Sequence, residues 1–178
     1  MDDVVATEQE HRLIEKLRER GLVDGWLSKW GQPALRHIEE GHEPQRLMDA
    51  SALQRRFTAC AYGTPSPGEG LCASWVEQAF SRLGLGVVLG NAAQLYDGYC
   101  HYTDTADLKV GMIVAVPSHP HTRLGRIYGH VCIYVGDGWV MDNSAQGTIR
   151  RLALSEWLAY YGETHTPKWG WLGGVSLS

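Results

Sequence analysis

The segment GHVCIYVGDGWVMDN, which begins at Gly129, constrains the fold of this chain more than any other stretch. β-Branched residues alternate with other types from Val131 to Val135, a Gly-Asp-Gly turn follows, and a second apolar run leads to Asn143. This pattern is typical of a β-hairpin, in which a tight turn joins two antiparallel strands. The chain is therefore expected to contain an antiparallel sheet.

The residues at the start of the chain predict helices. TEQE, from Thr7 to Glu10, is a capping-box pattern that marks a helix start, and the apolar segment WLSKWGQPALRHIEEG follows it but is broken near Gly31 and Pro33. A third segment, RLMDASALQRRFTAC, is also compatible with a helix. We therefore expect residues 1–58 to form a helical extension that packs on the rest of the chain.

A change in composition marks the start of a second region, residues 59–178. AYGTPSPGEGL is rich in Gly and Pro and predicts a loop, and CASWVEQAFSRLG then predicts a helix that ends at Gly84. DLKVGMIVAVP predicts a buried strand, SHPHTRLG a loop, and HTPKWGWLGGVSL a last strand. Helices followed by a run of strands are typical of an α+β domain with an antiparallel sheet.

The composition limits the classes of partner. The 178 residues carry a formal net charge of −4, and the sequence pI is about 6.0. Because binding to phosphates requires clustered Lys and Arg, we expect no nucleic-acid partner. No apolar run approaches the roughly 18 residues that span a bilayer, so we expect no membrane span. The acidic, polar start MDDVVATEQEHR does not have the pattern of a secretory signal.

The four cysteines do not indicate a metal site or a dense disulfide framework. None of them forms a Cys-x-x-Cys pair, which is the spacing of structural zinc sites. His119 and His121 lack further ligands beside them, so we expect no metal site. The cysteines instead raise the question of a nucleophile.

Cys72 is the first candidate for a nucleophile, because it follows the Gly-rich loop and opens the predicted helix. Unpaired backbone N–H groups and the positive end of the helix dipole stabilise negative charge at such a position. They would lower the pKa of the thiol towards the reactive thiolate, and they can also hold the oxyanion of a tetrahedral intermediate. A buried structural cysteine is the alternative.

His130 is the candidate base, since a neutral imidazole near Cys72 could take its proton; a hydrogen-bonded structural histidine is the alternative. Asp142 and Asn143 compete to orient this imidazole, as the acid does in a Ser-His-Asp triad. A two-residue hairpin loop would favour Asn143, and a three-residue loop with a bulge would favour Asp142. The residues alone leave both open.

The motifs of residues 59–178, taken in order, resemble the NlpC family of cell-wall cysteine peptidases and the related CHAP amidases. The motifs are YGTPSPGEGLCASWVEQAFSRLG, NAAQLY, DLKVGMIVAVP and GHVCIYVGDGWVMDN. The resemblance implies a papain-like core, in which a helix carrying the cysteine packs on an antiparallel sheet carrying the histidine. It assigns Cys72 as the nucleophile and His130 as the base. The family's third polar residue follows the histidine by twelve positions, which implies Asp142, with Asn143 as the alternative.

The chain departs from the family pattern around the nucleophile. Many NlpC-type enzymes have Asp-Cys-Ser-Gly where this chain has Leu71, Cys72, Ala73 and Ser74, and Cys60 stands where the family has a tyrosine. Those family residues help some members to bind the free amine of a trimmed cell-wall peptide. Leu71 cannot neutralise an ammonium ion, so an intact cross-linked peptide, the bond joining glycan to peptide, or a substrate outside the wall are the candidates.

The sequence as a whole thus predicts a thiol hydrolase that cleaves amide bonds in peptidoglycan stem peptides at the bacterial cell wall. Such a reaction needs no metal and no organic cofactor, and we expect none. Tyr62, at the edge of the Gly-rich loop, would either line the substrate cleft or pack within the loop. The alternatives are an effector of the same fold, an amidase, a transferase or a deamidase acting on another substrate. A catalytically inactive binding module is an alternative of a different class.

Overall fold

The structure, a computed structural model, describes residues 41–178, and the helices predicted from TEQE and from WLSKWGQPALRHIEEG lie outside the described residues. Five α-helices lie within them: α1 (Ala52–Gly63), α2 (Cys72–Ser81), α3 (Ala92–Tyr99), α4 (Arg123–Tyr128) and α5 (Leu154–Tyr161). The same residues contain five strands: β1 (Ile113–Val116), β2 (His130–Gly136), β3 (Trp139–Asn143), β4 (Ile149–Ala153) and β5 (Lys168–Gly170). Single turns of 3₁₀-helix lie at Leu47–Asp49, Thr105–Asp107 and Leu172–Gly174.

The strands form one antiparallel sheet in the order β4-β3-β2-β1-β5. The predicted α+β class with an antiparallel sheet is therefore confirmed. The helix predicted from Cys72 begins at that residue, and each predicted strand segment contains a strand. Among residues 41–178, no helix combines the length and the apolar character needed to cross a membrane.

Both faces of the sheet are buried. One face packs on α1, α2 and α3, where Phe57, Trp75 and Phe80 are almost fully removed from solvent. The other face packs on α5 through Leu154 and Trp157. Burying an apolar side chain of this size stabilises the fold by about 1.5–3 kcal/mol, so the two layers of helices hold the sheet from both sides.

The helix predicted around residues 46–60 is divided into two pieces. A 3₁₀ turn ends at Asp49, and α1 begins only after Ser51, whose side chain accepts a hydrogen bond from the N–H of Gln54. The Gln54 side chain bonds back to the Ser51 N–H, which completes a capping box and fixes the start of the helix. α1 then runs across residue 58, where the sequence suggested a boundary between two regions.

Part of the segment SHPHTRLG, which the sequence assigned to a loop, is helical. The Thr122 side chain accepts a hydrogen bond from the N–H of Gly125 and so caps the short helix α4. Gly129 ends that helix and leads directly into β2. The two elements are therefore joined by a single residue.

The hairpin between β2 and β3 combines a two-residue turn with a β-bulge. Asp137 and Gly138 form the turn with φ values of 54° and 79°, which are typical of a type I′ turn. The strand register shifts between Tyr134 and Gly136, which inserts one extra residue into β2. The extra residue reverses the alternation of faces that a two-residue turn alone would give.

We expect Gly129→Ala to lower the free energy of unfolding by about 3 kcal/mol or more, because its backbone conformation (φ 73°, ψ −157°) is essentially restricted to glycine and an added Cβ would overlap the carbonyl oxygen of Val116. Gly84→Ala is the matched control: its φ is 77°, but no atom lies within 4 Å of an added Cβ. That variant should lose only about 1–2 kcal/mol, the cost of the left-handed conformation. Denaturant unfolding of both variants measures the difference, and equal losses would contradict the steric argument.

Candidate active site

Cys72 is the first residue of α2, and its side chain is partly buried against the core. Leu71, the N-cap residue, makes no side-chain capping bond, and the first turn contains no acidic residue. The backbone N–H of Val131 donates a hydrogen bond to the Cys72 sulfur. The helix N-terminus and this N–H group therefore both favour a negatively charged sulfur.

His130 is the first residue of β2 and is buried. Its Nε2 lies 2.6 Å from Oδ2 of Asp142. The imidazole also interacts with Cys72, through charge and through a side-chain hydrogen bond. Because Nε2 is engaged by Asp142, Nδ1 is the ring nitrogen left for the thiol. The structure thus brings the three side chains Cys72, His130 and Asp142 together.

The bulge in the hairpin explains why Asp142 and not Asn143 meets the imidazole. Tyr134 pairs with Val140 across the two strands, and alternation along each strand places His130 and Asp142 on that same face. Asn143 lies on the opposite face. The turn has two residues, and the sequence alone associated such a turn with Asn143. The bulge adds one residue to β2, so Asp142 and not Asn143 lies on the same face as His130.

Asn143 fastens the Gly-rich loop that precedes the nucleophile. Its Oδ1 accepts a hydrogen bond from the Ser66 hydroxyl, and its Nδ2 donates one to the carbonyl of Gly68, both at 2.8 Å. The N–H of Gly70 adds a bond to the carbonyl of Ala145 at 3.2 Å. The hairpin that carries Asp142 is therefore tied to the loop that positions Cys72.

The thiol and the imidazole shift each other's pKa values. Burial alone raises the pKa of Cys72 and lowers that of His130, because it penalises charge. Their mutual attraction and the hydrogen bonds outweigh this effect. The pKa of Cys72 falls below that of an ordinary thiol, and the pKa of His130 rises to about 9. Between these two values the pair exists as thiolate and imidazolium.

Arg150 and Tyr161 also belong to the site, although the sequence did not predict them as site residues. Arg150 donates to both oxygens of Asp142, at 2.8 Å from Nε to Oδ1 and 2.6 Å from Nη2 to Oδ2, and Tyr161 packs on the ring of His130. Burial alone would raise the pKa of Asp142, but the charges of Arg150 and His130 hold it well below its usual range. The sequence contained one signal for Arg150. If DNSAQGTIR is predicted to form a β-hairpin, Arg150 lies directly opposite Asp142, and the structure has this pairing between β3 and β4.

Tyr62, predicted at the edge of a substrate cleft, lies in the last turn of α1 with 54% of its surface exposed. Its hydroxyl accepts a hydrogen bond of 3.5 Å from Arg151 on β4. Tyr62 takes no part in the hydrogen bonds of Cys72, His130 and Asp142 described above.

The two histidines of the HPH motif lie beside the site. The ring centroids of His119 and His121 are 5.5 Å apart, and the His119 ring lies 6.0 Å from that of His130. Burial, followed by the charges of the other two histidines, lowers the pKa of His119 to about 4, so it is neutral at neutral pH. Within residues 41–178, no three His, Cys, Asp or Glu side chains are grouped so that they could hold a metal ion.

The other three cysteines differ from Cys72 in their surroundings. Cys100 and Cys132 are buried, and burial raises the pKa of Cys100 to about 12 and that of Cys132 well above its ordinary value. Cys60 is only partly exposed on α1. All four cysteines are free thiols. The surroundings of Cys72 lower its pKa, whereas those of Cys100 and Cys132 raise theirs.

No model of a known protein family matches the chain, and no curated protein matches it either. A thiolate at a helix N-terminus, an imidazolium beside it and a buried carboxylate behind the imidazole can together support nucleophilic attack and proton transfer.

We expect iodoacetamide to modify Cys72 ahead of Cys60, Cys100 and Cys132 at pH values below ~8.5, the ordinary pKa of a thiol. His130→Gln should move the pH dependence of this modification upwards, because the stabilising positive charge is removed. Mass spectrometry of the digested protein identifies the modified cysteine at each pH. Earlier modification of Cys60 in the wild-type protein would contradict the assignment.

We expect the imidazole of His130 to titrate near pH 9 in the wild-type protein, as followed by its NMR chemical shifts. Asp142→Asn removes a negative charge and should lower this midpoint by about one pH unit or more. The imidazolium, which is present below the midpoint, would then be lost earlier as the pH rises. Asp97→Asn, the same change on the exposed surface of α3, is the control and should leave the midpoint unchanged. An unchanged midpoint in Asp142→Asn would contradict the pairing.

Proposed function

We propose that the protein is a papain-like cysteine hydrolase, related to the NlpC and CHAP enzymes, that cleaves amide bonds in peptidoglycan stem peptides. Cys72 is the nucleophile, His130 the base and Asp142 the residue that orients the imidazole. The observation that carries this proposal is the 2.6 Å contact between His130 Nε2 and a fully buried Asp142, with Cys72 hydrogen-bonded to the same imidazole. The family resemblance also implies these three positions, although many NlpC-type enzymes have a histidine where this chain has Asp142.

The architecture supports a papain-like core. The helix that begins at Cys72 packs on the sheet whose second strand begins at His130, and the sheet is antiparallel throughout. This is the arrangement that the resemblance to NlpC and CHAP enzymes implied. The nucleophile and the base therefore come from two different layers of the domain.

The reaction begins when the Cys72 thiolate attacks the carbonyl carbon of the amide. The backbone N–H of Cys72 contributes to holding the oxyanion of the tetrahedral intermediate. The His130 imidazolium gives its proton to the leaving amine, and the C–N bond breaks to leave a thioester on Cys72. The neutral imidazole then takes a proton from water, whose oxygen attacks the thioester; the C–S bond breaks and releases the carboxylic acid and the Cys72 thiolate, which restores the thiolate–imidazolium pair.

The surroundings of the nucleophile favour an uncharged group beside the scissile bond. Leu71 directly precedes Cys72 and has 44% of its surface exposed. An apolar side chain at this position offers no counter-charge for a free ammonium group. An intact cross-linked peptide, or the amide that joins glycan to peptide, therefore fits better than a peptide that begins with a free amine.

We expect the wild-type protein to release fragments from purified peptidoglycan in heavy-oxygen water, with one heavy oxygen in each new carboxyl group. Cys72→Ala should release none, because no thioester can form. Cys60→Ala, which removes a thiol from α1, is the matched control and should behave as the wild type. Mass spectrometry of the soluble products reads out both the bond and the label.

Two outcomes of this experiment would contradict the hydrolase. Identical spectra for the wild type and Cys72→Ala across several wall types would remove the proposed substrate. Products that depend on Cys72 but carry no heavy oxygen would indicate transfer to another acceptor instead of hydrolysis.

A further inference from the structure

Four side chains from four elements form a closed circuit behind the candidate nucleophile. His130 (β2) contacts Asp142 (β3), Asp142 contacts Arg150 (β4), and Arg150 Nη2 donates a hydrogen bond of 2.8 Å to the hydroxyl of Tyr161 (α5). The Tyr161 ring then stacks on the His130 ring, with centroids 4.2 Å apart and planes at 25°. The circuit therefore returns to the imidazole from which it starts.

Arg150 binds the Asp142 carboxylate through two hydrogen bonds from the planar fork of its guanidinium group. Its Nε and Nη2 bind different oxygens of Asp142, and this bidentate arrangement fixes the rotation of the carboxylate group. A carboxylate held by one partner could turn about its Cβ–Cγ bond. The fork instead keeps Oδ2, which is the oxygen that faces His130, in one place.

Arg150 also balances the charge of the carboxylate. Asp142 is fully buried, and only 16% of the Arg150 side chain is exposed, so water screens this pair little. A buried Asp142 without Arg150 would act on His130 with its full negative charge. With Arg150 present, the two charges largely cancel, and the imidazolium can release its proton more readily to a leaving group.

Tyr161 contacts both Arg150 and the face of the His130 imidazole. Its hydroxyl accepts from the nitrogen that also binds Oδ2 of Asp142, while its ring limits the tilt of His130. Tyr161 therefore constrains both the guanidinium group of Arg150 and the ring of His130.

We propose that Arg150 and Tyr161 are positioning residues, which hold Asp142 and His130 in the one orientation that serves Cys72. This inference rests on the proposed cysteine chemistry but not on the identity of the substrate. A lysine cannot replace Arg150 in this role, because a single ammonium group does not reproduce the planar fork.

Several ionisable groups face the His130 imidazole, and a change in the charge of any of them would shift its pKa. They are Cys72 on α2, Asp142 on β3, His119 in the segment after β1 and Tyr161 on α5, with Arg150 and His121 one contact further away. His119 stays neutral down to about pH 4, and burial keeps the pKa of Tyr161 far above its ordinary value. His119 is therefore neutral and Tyr161 is protonated around pH 9, where His130 titrates, so a shift in the His130 midpoint there reports on Cys72, Asp142 and Arg150.

The test compares Arg150→Gln, Arg150→Lys and Tyr161→Phe with the matched control Arg151→Gln. Arg151 is the next residue on β4 and lies over the ring of Trp139, so its replacement removes the same charge from the opposite face of the strand. Two NMR signals are followed: the pH midpoint of His130 and the low-field resonance of its Nε2 proton. Circular dichroism and thermal unfolding establish that each variant is folded.

Arg150→Gln should raise the His130 midpoint by about one pH unit, because the negative charge of Asp142 is no longer balanced. Arg150→Lys keeps the charge and should keep the midpoint, but the Nε2 proton signal should broaden because the fork is lost. Tyr161→Phe retains the stacked ring and should leave the midpoint unchanged while the Nε2 proton exchanges faster with water. Arg151→Gln should change neither signal.

A wild-type midpoint and a sharp Nε2 proton signal in Arg150→Gln would overturn the proposal. The same would follow if Arg150→Lys were indistinguishable from the wild type in both signals. If Arg150→Gln does not fold, Arg150→Lys and Tyr161→Phe decide the matter alone. None of these readouts uses a cell-wall substrate, so a failure to cleave peptidoglycan would refute the proposed substrate and leave this inference standing.

Discussion

The buried carboxylate of Asp142 is the charge on which the candidate site depends. Water is fully excluded from it, so its charge is stable only where opposite charges and hydrogen bonds compensate for the lost solvation. Its strand lies between two others, and each neighbouring strand supplies one cationic side chain: His130 from β2 and Arg150 from β4. The imidazolium in turn stabilises the thiolate of Cys72. The order of the strands and the charges of the site are thus parts of one arrangement.

Local patterns in the sequence were enough to find two members of this arrangement. Cys72 opens a helix after a Gly-rich loop, and His130 opens an alternating strand, and both features depend only on neighbouring residues. The choice between Asp142 and Asn143 depended on a bulge instead. The bulge lies where Gly136, with φ 97°, approaches the backbone of Leu47, which is far away in the chain. No local pattern reports such a contact.

The roles that could not be predicted from the sequence depend on contacts between residues far apart in the chain. Tyr161 belongs to a helix whose other side chains form core, and only its packing on the far face of the sheet brings its ring to His130. Asn143 was weighed as a catalytic residue, but it lies on the other face and holds the loop before Cys72. The helix α4 was hidden because Pro120 and two histidines gave its segment the composition of a loop.

The hydrogen bonds between Asn143 and the Gly-rich loop have a consequence for the chain before it has folded. The groups that shift the pKa of Cys72 come from β2 and β3, which are made long after the cysteine itself. Until the hairpin has docked on the loop, Cys72 lacks the imidazolium of His130 and the N–H of Val131, the two groups that lower its pKa. The lowered pKa of Cys72 therefore depends on the assembled sheet, and a nascent chain that has not yet formed β2 lacks the groups that produce it.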